Sequence, residues 1–115
     1  MILYNAWPFS DATPVWLWNP LAVAGIYAIQ VMDAEWSPRP VYFGKTDDFS
    51  GCRSVSAHRA FRSWAQVAGG ELKLWVSFHR EPDAMRRIVK EIALIQAYTP
   101  LCNVRVPEPI PPTTV

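Results

Sequence analysis

Residues 23–44 read VAGIYAIQVMDAEWSPRPVYFG, and this stretch decides the fold. Residues 23–32 are apolar and rich in β-branched side chains, so they predict a strand whose side chains alternate between two faces. The polar, proline-containing residues 33–40 predict a loop, and residues 41–44 predict a second, antiparallel strand. The first face of the first strand carries Tyr27, Ile29 and Val31, and the second carries Ile26, Ala28 and Gln30.

A first helix is predicted after this hairpin. Asp47 and Asp48 favour a helix start, and helical composition continues to Ala68, where Gly69 and Gly70 end it. Gly51 disfavours the opening turn by about 1 kcal/mol relative to alanine. A later start, with Ser54 as the cap, is therefore an alternative.

A third strand and a second helix follow. Apolar and polar residues alternate over 72–79, with Leu72, Leu74, Val76 and Phe78 on one side, which predicts a one-sided strand. A helix is predicted over about 82–98, because Pro82 suits its first position and Asp83 suits its positive end. Its apolar stripe consists of Met85, Ile88, Val89, Ile92 and Ile95.

The order of these elements predicts a small α+β domain, with a three-stranded antiparallel sheet flanked by helices. Residues 1–20 contain three tryptophans among three prolines and predict an extended arm packed on the domain. The domain itself is expected to span residues 21–104. Residues 105–115 are rich in proline and predict an extended tail.

The composition narrows the class of protein. The chain has 115 residues, half of them hydrophobic, which is enough for one core. No apolar run of about 18 residues and no signal sequence is found, so we expect a soluble cytoplasmic protein without a membrane segment. Cys52 and Cys102 are expected to be free buried thiols, and their spacing from His58 and His79 disfavours a zinc site.

The formal net charge is only +1, so any surface that binds nucleic acid must be local. The basic residues fall into two groups along the sequence, and for either group taken alone a solvated helix face is an equally good interpretation. The six tryptophans serve equally well as core or as a surface for a partner. The first basic group comprises Lys45, Arg53, His58, Arg59 and Arg62, and the second comprises Arg80, Arg86, Arg87 and Lys90.

Three fragments occur in a recognisable order: Gly25-Ile26-Tyr27 on the first strand, Tyr42-Phe43-Gly44 on the second, and Glu91 followed by Pro100 and Asn103. This arrangement resembles the GIY-YIG nuclease family, whose pattern is GIY, a loop, YIG, a helix with arginine and often histidine, and then glutamate before proline and asparagine. The similarity covers residues 23–103, about seventy per cent of the chain.

The resemblance implies a metal-dependent endonuclease that hydrolyses phosphodiester bonds in DNA, with RNA as an alternative substrate. It implies one Mg²⁺ or Mn²⁺ ion held by Glu91 and a water deprotonated with help from Tyr27. It also implies a phosphate contact from Arg53 and a hydrogen bond from Tyr42 to the nucleophile or the phosphate. The implied catalytic residues are Tyr27, Tyr42, Arg53, His58 and Glu91. The implied supporting residues are Gly25, Gly44, Lys45, Arg59, Arg62 and Asn103, with Asn103 bracing the site.

Each role has a simpler alternative. Tyr27 and Tyr42 are also expected as ordinary core tyrosines, and Glu91 as the helical ion-pair partner of Arg87. Arg53 and His58 lie five residues apart, where the family commonly has four, which places them 140° apart around a regular helix. Both face one cleft only if Arg53 precedes the helix or Gly51 breaks its first turn; alternatively, Ala57 takes the histidine position and Arg62 joins His58.

Three functions are therefore compatible with the sequence. The first is an endonuclease whose specificity is low, or comes from a homodimer or a protein partner. The second is a catalytically weak or inactive module that keeps the scaffold and binds nucleic acid or protein. The third is an interaction domain that uses the Trp-bearing arm and the proline-rich tail as contact surfaces.

Overall fold

The strand that contains Gly25-Ile26-Tyr27 lies inside a four-stranded antiparallel sheet of order β3-β6-β4-β5. The computed structural model describes residues 1–18, 22–49, 58 and 60–103. The strands are β1 (Ile2–Tyr4), β2 (Trp7–Phe9), β3 (Thr13–Pro14), β4 (Gly25–Met32), β5 (Pro38–Thr46) and β6 (Trp75–Arg80), and the helices are α1 (Phe61–Ala68) and α2 (Ala84–Tyr98). The predicted α+β class is confirmed.

The sheet has one strand more than predicted. Strand β3 pairs with β6, with Thr13 opposite Val76, and thus adds residues of the N-terminal arm to the sheet edge. The arm also forms a hairpin from β1 and β2, with Ile2 opposite Phe9. A short 3-10 helix, Val15–Leu17, follows β3. Residues 1–18 therefore contain regular structure in addition to the predicted extended segments.

Strand β5 begins at Pro38, although residues 33–40 were expected to form a loop. Pro40 is accommodated because β5 is an edge strand, where a missing N–H group does not interrupt the sheet. The register with β4 shifts between Ile29 and Gln30, since Tyr42 lies opposite Ile29 and Pro40 opposite Gln30. Val41 is the extra residue of this bulge.

The prediction that Leu72 belongs to the third strand is wrong. Residues Glu71–Lys73 form a 3-10 helix, β6 begins only at Trp75, and the Leu72 side chain is exposed. The predicted one-sided burial is also wrong, because Ser77 and His79 are buried as well. Both faces of the sheet are covered, so apolar alternation does not separate a buried face from a solvated one.

Two clusters of buried side chains lie on opposite faces of β4, as the alternation along this strand predicts. The α1 face holds Tyr27, Ile29 and Val31, together with the fully buried Trp64 of α1. The α2 face holds Ile26 and Ala28 against Leu94 of α2, and its remaining buried members are Tyr4, Phe9 and Phe43. Burying one large apolar side chain stabilises the fold by about 1.5–3 kcal/mol.

Helix α1 is shorter than the helix predicted to follow Thr46, because it begins at Phe61. The possible start at Ser54 and the break at Gly51 lie outside the described residues. The end of the helix is confirmed: Gly69 adopts φ 84° and its N–H bonds to the Ala65 carbonyl, a conformation that favours glycine. Within the described ranges, no helix has the length and apolar content to cross a membrane.

Helix α2 begins at Ala84, two residues later than predicted. Pro82 precedes the helix, and Asp83 is its N-cap, whose carboxylate accepts a bond from Arg86 N at 2.8 Å. Most of the predicted apolar stripe does not face the core, because Met85, Ile88, Val89 and Ile92 are 41–66% exposed, whereas Ile95 packs against the buried cluster of the α2 face. Only Leu94 of this helix is fully buried.

The orientation of α2 has a physical cause in the sheet beneath it. Lys45 and His79 both lie opposite Ile26, so this end of the α2 face is polar. Lys90 bonds to His79, and Glu91 lies near Lys45. Helix α2 therefore packs its polar side on the polar end of the sheet. A buried polar group without a hydrogen-bond partner costs more free energy than an apolar side chain left exposed.

Candidate active site

The two tyrosines of the motif lie side by side on the α1 face of the sheet. Tyr27 in β4 and Tyr42 in β5 have ring centroids 6.2 Å apart, with an angle of 35° between their planes. Tyr27 is 5% exposed, and Tyr42 is half-buried. The ring of Phe49 stacks on Tyr27 at 5.3 Å and holds it from another side. Neighbouring antiparallel strands thus bring the two phenols together.

Gly44 is required by the position of Tyr27. The two residues lie opposite each other in the β4–β5 ladder, and the phenol ring of Tyr27 extends across the Gly44 Cα. A Cβ atom at residue 44 would overlap the ring carbon and hydroxyl oxygen of Tyr27. Gly25 is constrained in a similar way, because a Cβ there would collide with the His79 carbonyl oxygen. The motif glycines therefore permit close approach between strands.

His58 joins the tyrosine pair. Its ring lies 5.6 Å from that of Tyr42 and 6.4 Å from that of Tyr27, measured between centroids. The Ala60 N–H donates to His58 Nδ1 at 3.0 Å, which leaves the proton of a neutral imidazole on Nε2. His58 precedes α1, so the angular argument from a regular helix does not apply to it. The alternative in which Ala57 takes this position lies outside the described residues.

Trp64 lies beneath this group and was not among the residues predicted for the site. Its ring lies 4.9 Å from Tyr42 and 4.6 Å from His58, and it is fully buried. Its indole Nε1 has no hydrogen-bond acceptor among the described residues. A tryptophan within the helix predicted to end at Gly69 was the available signal. We call Tyr27, Tyr42, His58 and Trp64 the aromatic cluster.

Glu91 lies at the same end of the sheet but on the other face. It is half-buried on α2, where burial raises the pKa of its carboxyl group and the nearby Lys45 ammonium lowers it. Lys45 directly follows Gly44, and its side chain points to the face opposite that of Tyr27. The aromatic cluster and Glu91 therefore flank the Gly44–Lys45 strand end from two sides.

The lysine and arginine residues predicted for the site either lie outside the described residues or are exposed. Arg53 and Arg59 lie outside the described residues. Lys45 and Arg62 are exposed. Among the candidate residues, the structure thus brings Tyr27, Tyr42, His58 and Gly44 together on one face, and Lys45 and Glu91 together on the other.

Asn103 braces the strand that carries Tyr42. Its side-chain oxygen accepts a bond from the Phe43 N–H at 2.8 Å, and its side-chain nitrogen donates to the Phe43 carbonyl at 3.1 Å. The amide therefore behaves like a neighbouring strand at the edge of β5. The preceding Cys102 N–H bonds to the Val41 carbonyl, and burial raises the pKa of the free Cys102 thiol.

Asn103→Ala is expected to lower the free energy of unfolding by about 1–3 kcal/mol, because it leaves the Phe43 N–H and C=O groups without their partner. Urea unfolding measures the change. Gln96→Ala removes an exposed amide from α2 and is expected to change stability by less than about 0.5 kcal/mol. Equal stabilities for the two variants would show that the Asn103 contacts do not brace the strand.

A buried polar network lies at the N-terminal half of α2, and the sequence did not predict it. Lys90 Nζ bonds to His79 Nε2 at 2.8 Å and to Glu81 Oε1 at 2.6 Å, and it lies 5.2 Å from the centre of the Trp7 ring. His79 Nδ1 bonds to the Pro8 carbonyl at 2.8 Å, so Nδ1 carries the proton and Nε2 accepts from Lys90. The network joins the N-terminal hairpin, β6 and α2.

The network makes stability depend on pH. Burial is the largest cause that lowers the pKa of His79 below its usual 6.5, so the unfolded chain takes up this proton first. Stability should therefore fall as the pH drops below about 6.5. The bond from Lys90 lowers the pKa of Glu81, whose contribution is lost only below about pH 4.5.

His79→Gln is expected to flatten the dependence of Tm on pH between about 7.5 and 5, because this window contains the His79 transition. Thermal unfolding followed by circular dichroism measures it. Gln96→Ala, which removes no titratable group and lies outside the network, should retain the slope of the unsubstituted chain. A slope that survives in His79→Gln would assign the pH dependence to other groups.

A metal ion at Glu91 would have one protein carboxylate as its ligand, with the Lys45 ammonium nearby. Within the described part of the chain, no three His, Cys, Asp or Glu side chains are grouped so that they could hold a metal together. Mg²⁺ keeps several waters and often takes only one or two carboxylates together with substrate phosphates. Glu91 can provide one such carboxylate, since burial has already removed part of its hydration.

Comparison of the chain with models of known protein families finds no match, and comparison with curated protein sequences finds none either.

Proposed function

We propose that the chain is a metal-dependent endonuclease that hydrolyses phosphodiester bonds in DNA at a GIY-YIG-type site. The observation that carries the proposal is the placement of Tyr27, Tyr42 and His58 in one cluster beside the Gly44–Lys45 strand end, with Glu91 at the same end. Residues of the types that a phosphodiesterase site uses thus lie around one strand end.

The side chains have complementary tasks in the proposed reaction. Glu91 would hold one Mg²⁺ or Mn²⁺, which when bound neutralises phosphate charge and stabilises the leaving alkoxide. Tyr27 would first lose its hydroxyl proton to solvent, and its phenolate oxygen would then accept a proton from the attacking water, which leaves hydroxide to attack the phosphorus. The Tyr42 hydroxyl would donate to a phosphate oxygen. Lys45 would attract the phosphate backbone to this strand end. Arg53, as the resemblance implies, would donate to a phosphate oxygen.

Two features constrain how the site would work. Tyr27 is almost fully buried by the aromatic cluster, and Glu91 lies on the opposite face of the sheet. In this proposal a phosphate would approach the edge of β5 at Lys45, which is exposed, whereas the adjoining Gly44 is buried. Lys45 at this edge would supply affinity without sequence specificity, which leaves specificity to a second copy or a protein partner.

The same two features favour a second candidate function, a module that keeps the scaffold and binds nucleic acid without cutting it. A buried phenol and a carboxylate beside an ammonium are also what a structural core would contain. Such a module would bind DNA or RNA with an affinity that falls as salt rises, because phosphate contacts release counterions. It would show no metal-dependent cleavage.

Incubation of the chain with supercoiled plasmid DNA separates the two functions. The nuclease proposal predicts nicked circles in Mg²⁺ or Mn²⁺ and none in EDTA. Salt-sensitive binding without nicking in either metal would support the binding module. Absence of both nicking and salt-sensitive binding would overturn both proposals.

A further inference from the structure

A cleft of about 470 Å³ lies at the end of the sheet opposite the candidate active site. Its walls include Trp36, Trp75 and Leu72, with Asp33 and Lys73 as its charged members. The distance along β4 from Tyr27 to Met32, which also lines the cleft, corresponds to about 17 Å of strand. The cleft is therefore separate from the aromatic cluster, and its volume is that of a small-ligand site.

Trp36 is held in an unfavourable backbone conformation while its side chain is exposed. It adopts φ 61°, a region in which bulky residues are rare, and its side chain is 73% exposed. Asp33 fixes the turn: its carbonyl accepts from Trp36 N, and its Oδ1 accepts from the N–H groups of Glu35 and Ser37. Strain retained at an exposed aromatic residue points to binding.

The two indoles form a corner. The centroids of Trp36 and Trp75 are 6.3 Å apart, and their planes meet at 83°. An indole face carries negative potential and attracts a cation that lies within about 6 Å of the ring centroid. We propose that this cleft binds an organic cation of the alkylated ammonium class, held between Trp36 and Trp75 beside the Asp33 carboxylate. The proposal is independent of nuclease activity.

The charges of the cleft are consistent with this ligand. Backbone hydrogen bonds from Ser37 and Glu35 lower the pKa of Asp33, so its carboxylate is ionised near neutral pH. Arg39 adds a smaller electrostatic effect of the same direction. Lys73 opposes a bound cation, but its side chain extends from the exposed 3-10 helix Glu71–Lys73. Lys73→Gln should therefore strengthen binding by roughly two- to fivefold.

Choline and its uncharged isostere 3,3-dimethylbutan-1-ol provide the test. The six indole N–H signals of the full chain are followed by NMR and assigned with single Trp→Phe variants. We expect choline to shift the signals of Trp36 and Trp75, with a Kd on the order of millimolar, and the isostere to bind at least about tenfold more weakly. A short trimethyl-lysine peptide tests the source, since tighter binding than choline would indicate a modified side chain.

Trp36→Gly is the decisive variant, because glycine suits φ 61° and the variant should fold as well as the parent. It should weaken choline binding by at least about fivefold, whereas the exposed Trp16→Ala should not change it. Equal binding of choline and its isostere, or no shift with either, would overturn the proposal. Binding of a single-stranded oligonucleotide that Lys73→Gln weakens would overturn it in favour of base stacking.

Discussion

The Glu91→Gln variant is expected to lose Mg²⁺-dependent nicking of supercoiled DNA by at least about a hundredfold, because it removes the carboxylate proposed to hold the ion. Its affinity for DNA should stay within about twofold, since Lys45 at the strand end is unchanged. The amide has nearly the same shape as the carboxyl group. The fold should persist, because Glu91 is only half-buried and its neighbour Lys45 is exposed.

Glu35→Gln is the matched control for this experiment, since Glu35 is exposed in the loop at the other end of the sheet. It removes the same charge from the chain and should nick DNA at the parental rate. Equal nicking by the Glu91 variant and the parent chain would contradict the assigned role. Loss of nicking in both variants would attribute the effect to overall charge.

Trp64→Ala is expected to lower the free energy of unfolding by about 3–5 kcal/mol, because it empties the floor of the aromatic cluster in a fully buried position. The ring touches Tyr42 and His58, so both should lose their fixed orientation. Urea unfolding measures the stability. The near-ultraviolet circular dichroism of the folded fraction measures the ordering of the aromatic rings.

Trp16→Ala provides the control for tryptophan removal, because Trp16 is 62% exposed in the N-terminal arm. Its effect is expected to stay within about 0.5 kcal/mol. A Trp64 variant as stable as the Trp16 variant would contradict the packing described for α1. It would also remove the structural basis for treating Tyr42 and His58 as one cluster.

Local chemistry explains the elements that could be predicted. The apolar alternation of β4 places Tyr27 and Ile26 on opposite faces, because a strand has a period of two. Gly69 ends α1 because glycine accepts φ 84° without strain. Asp83 caps α2 through its own carboxylate. Each of these features depends on residues that are close together in the chain, so the sequence alone predicts it.

The features that could not be predicted depend on distant partners. Strand β3 exists because Thr13 and Pro14 meet β6, more than sixty residues away. The exposed stripe of α2 is the clearer case, since helical periodicity identifies an apolar face but does not show what lies beneath the helix. Lys45 and His79 lie on the sheet beneath α2. The polar face of α2, which carries Lys90 and Glu91, therefore packs on the sheet, and the apolar face does not.

The candidate site shows the same division. The order of the motif indicated Tyr27, Tyr42 and Gly44, and their pairing follows from a simple hairpin. The role of Trp64 and the separation of Glu91 from Tyr27 by the thickness of the sheet required the packing of both helices. Arg53, expected to contact phosphate, and Arg59, expected to support substrate binding, lie outside the described residues. Their roles stay predictions.

Whether Tyr27 and Glu91 serve one metal-dependent site is tested most directly by adding Mn²⁺ to ¹⁵N-labelled protein and measuring the paramagnetic broadening of each amide signal. The proposed site predicts the strongest broadening at Glu91 and Lys45, weaker broadening at Gly44 and Tyr27, and loss of all of it in Glu91→Gln. Broadening centred on other carboxylates such as Asp33, or broadening that Glu91→Gln leaves unchanged, would contradict it.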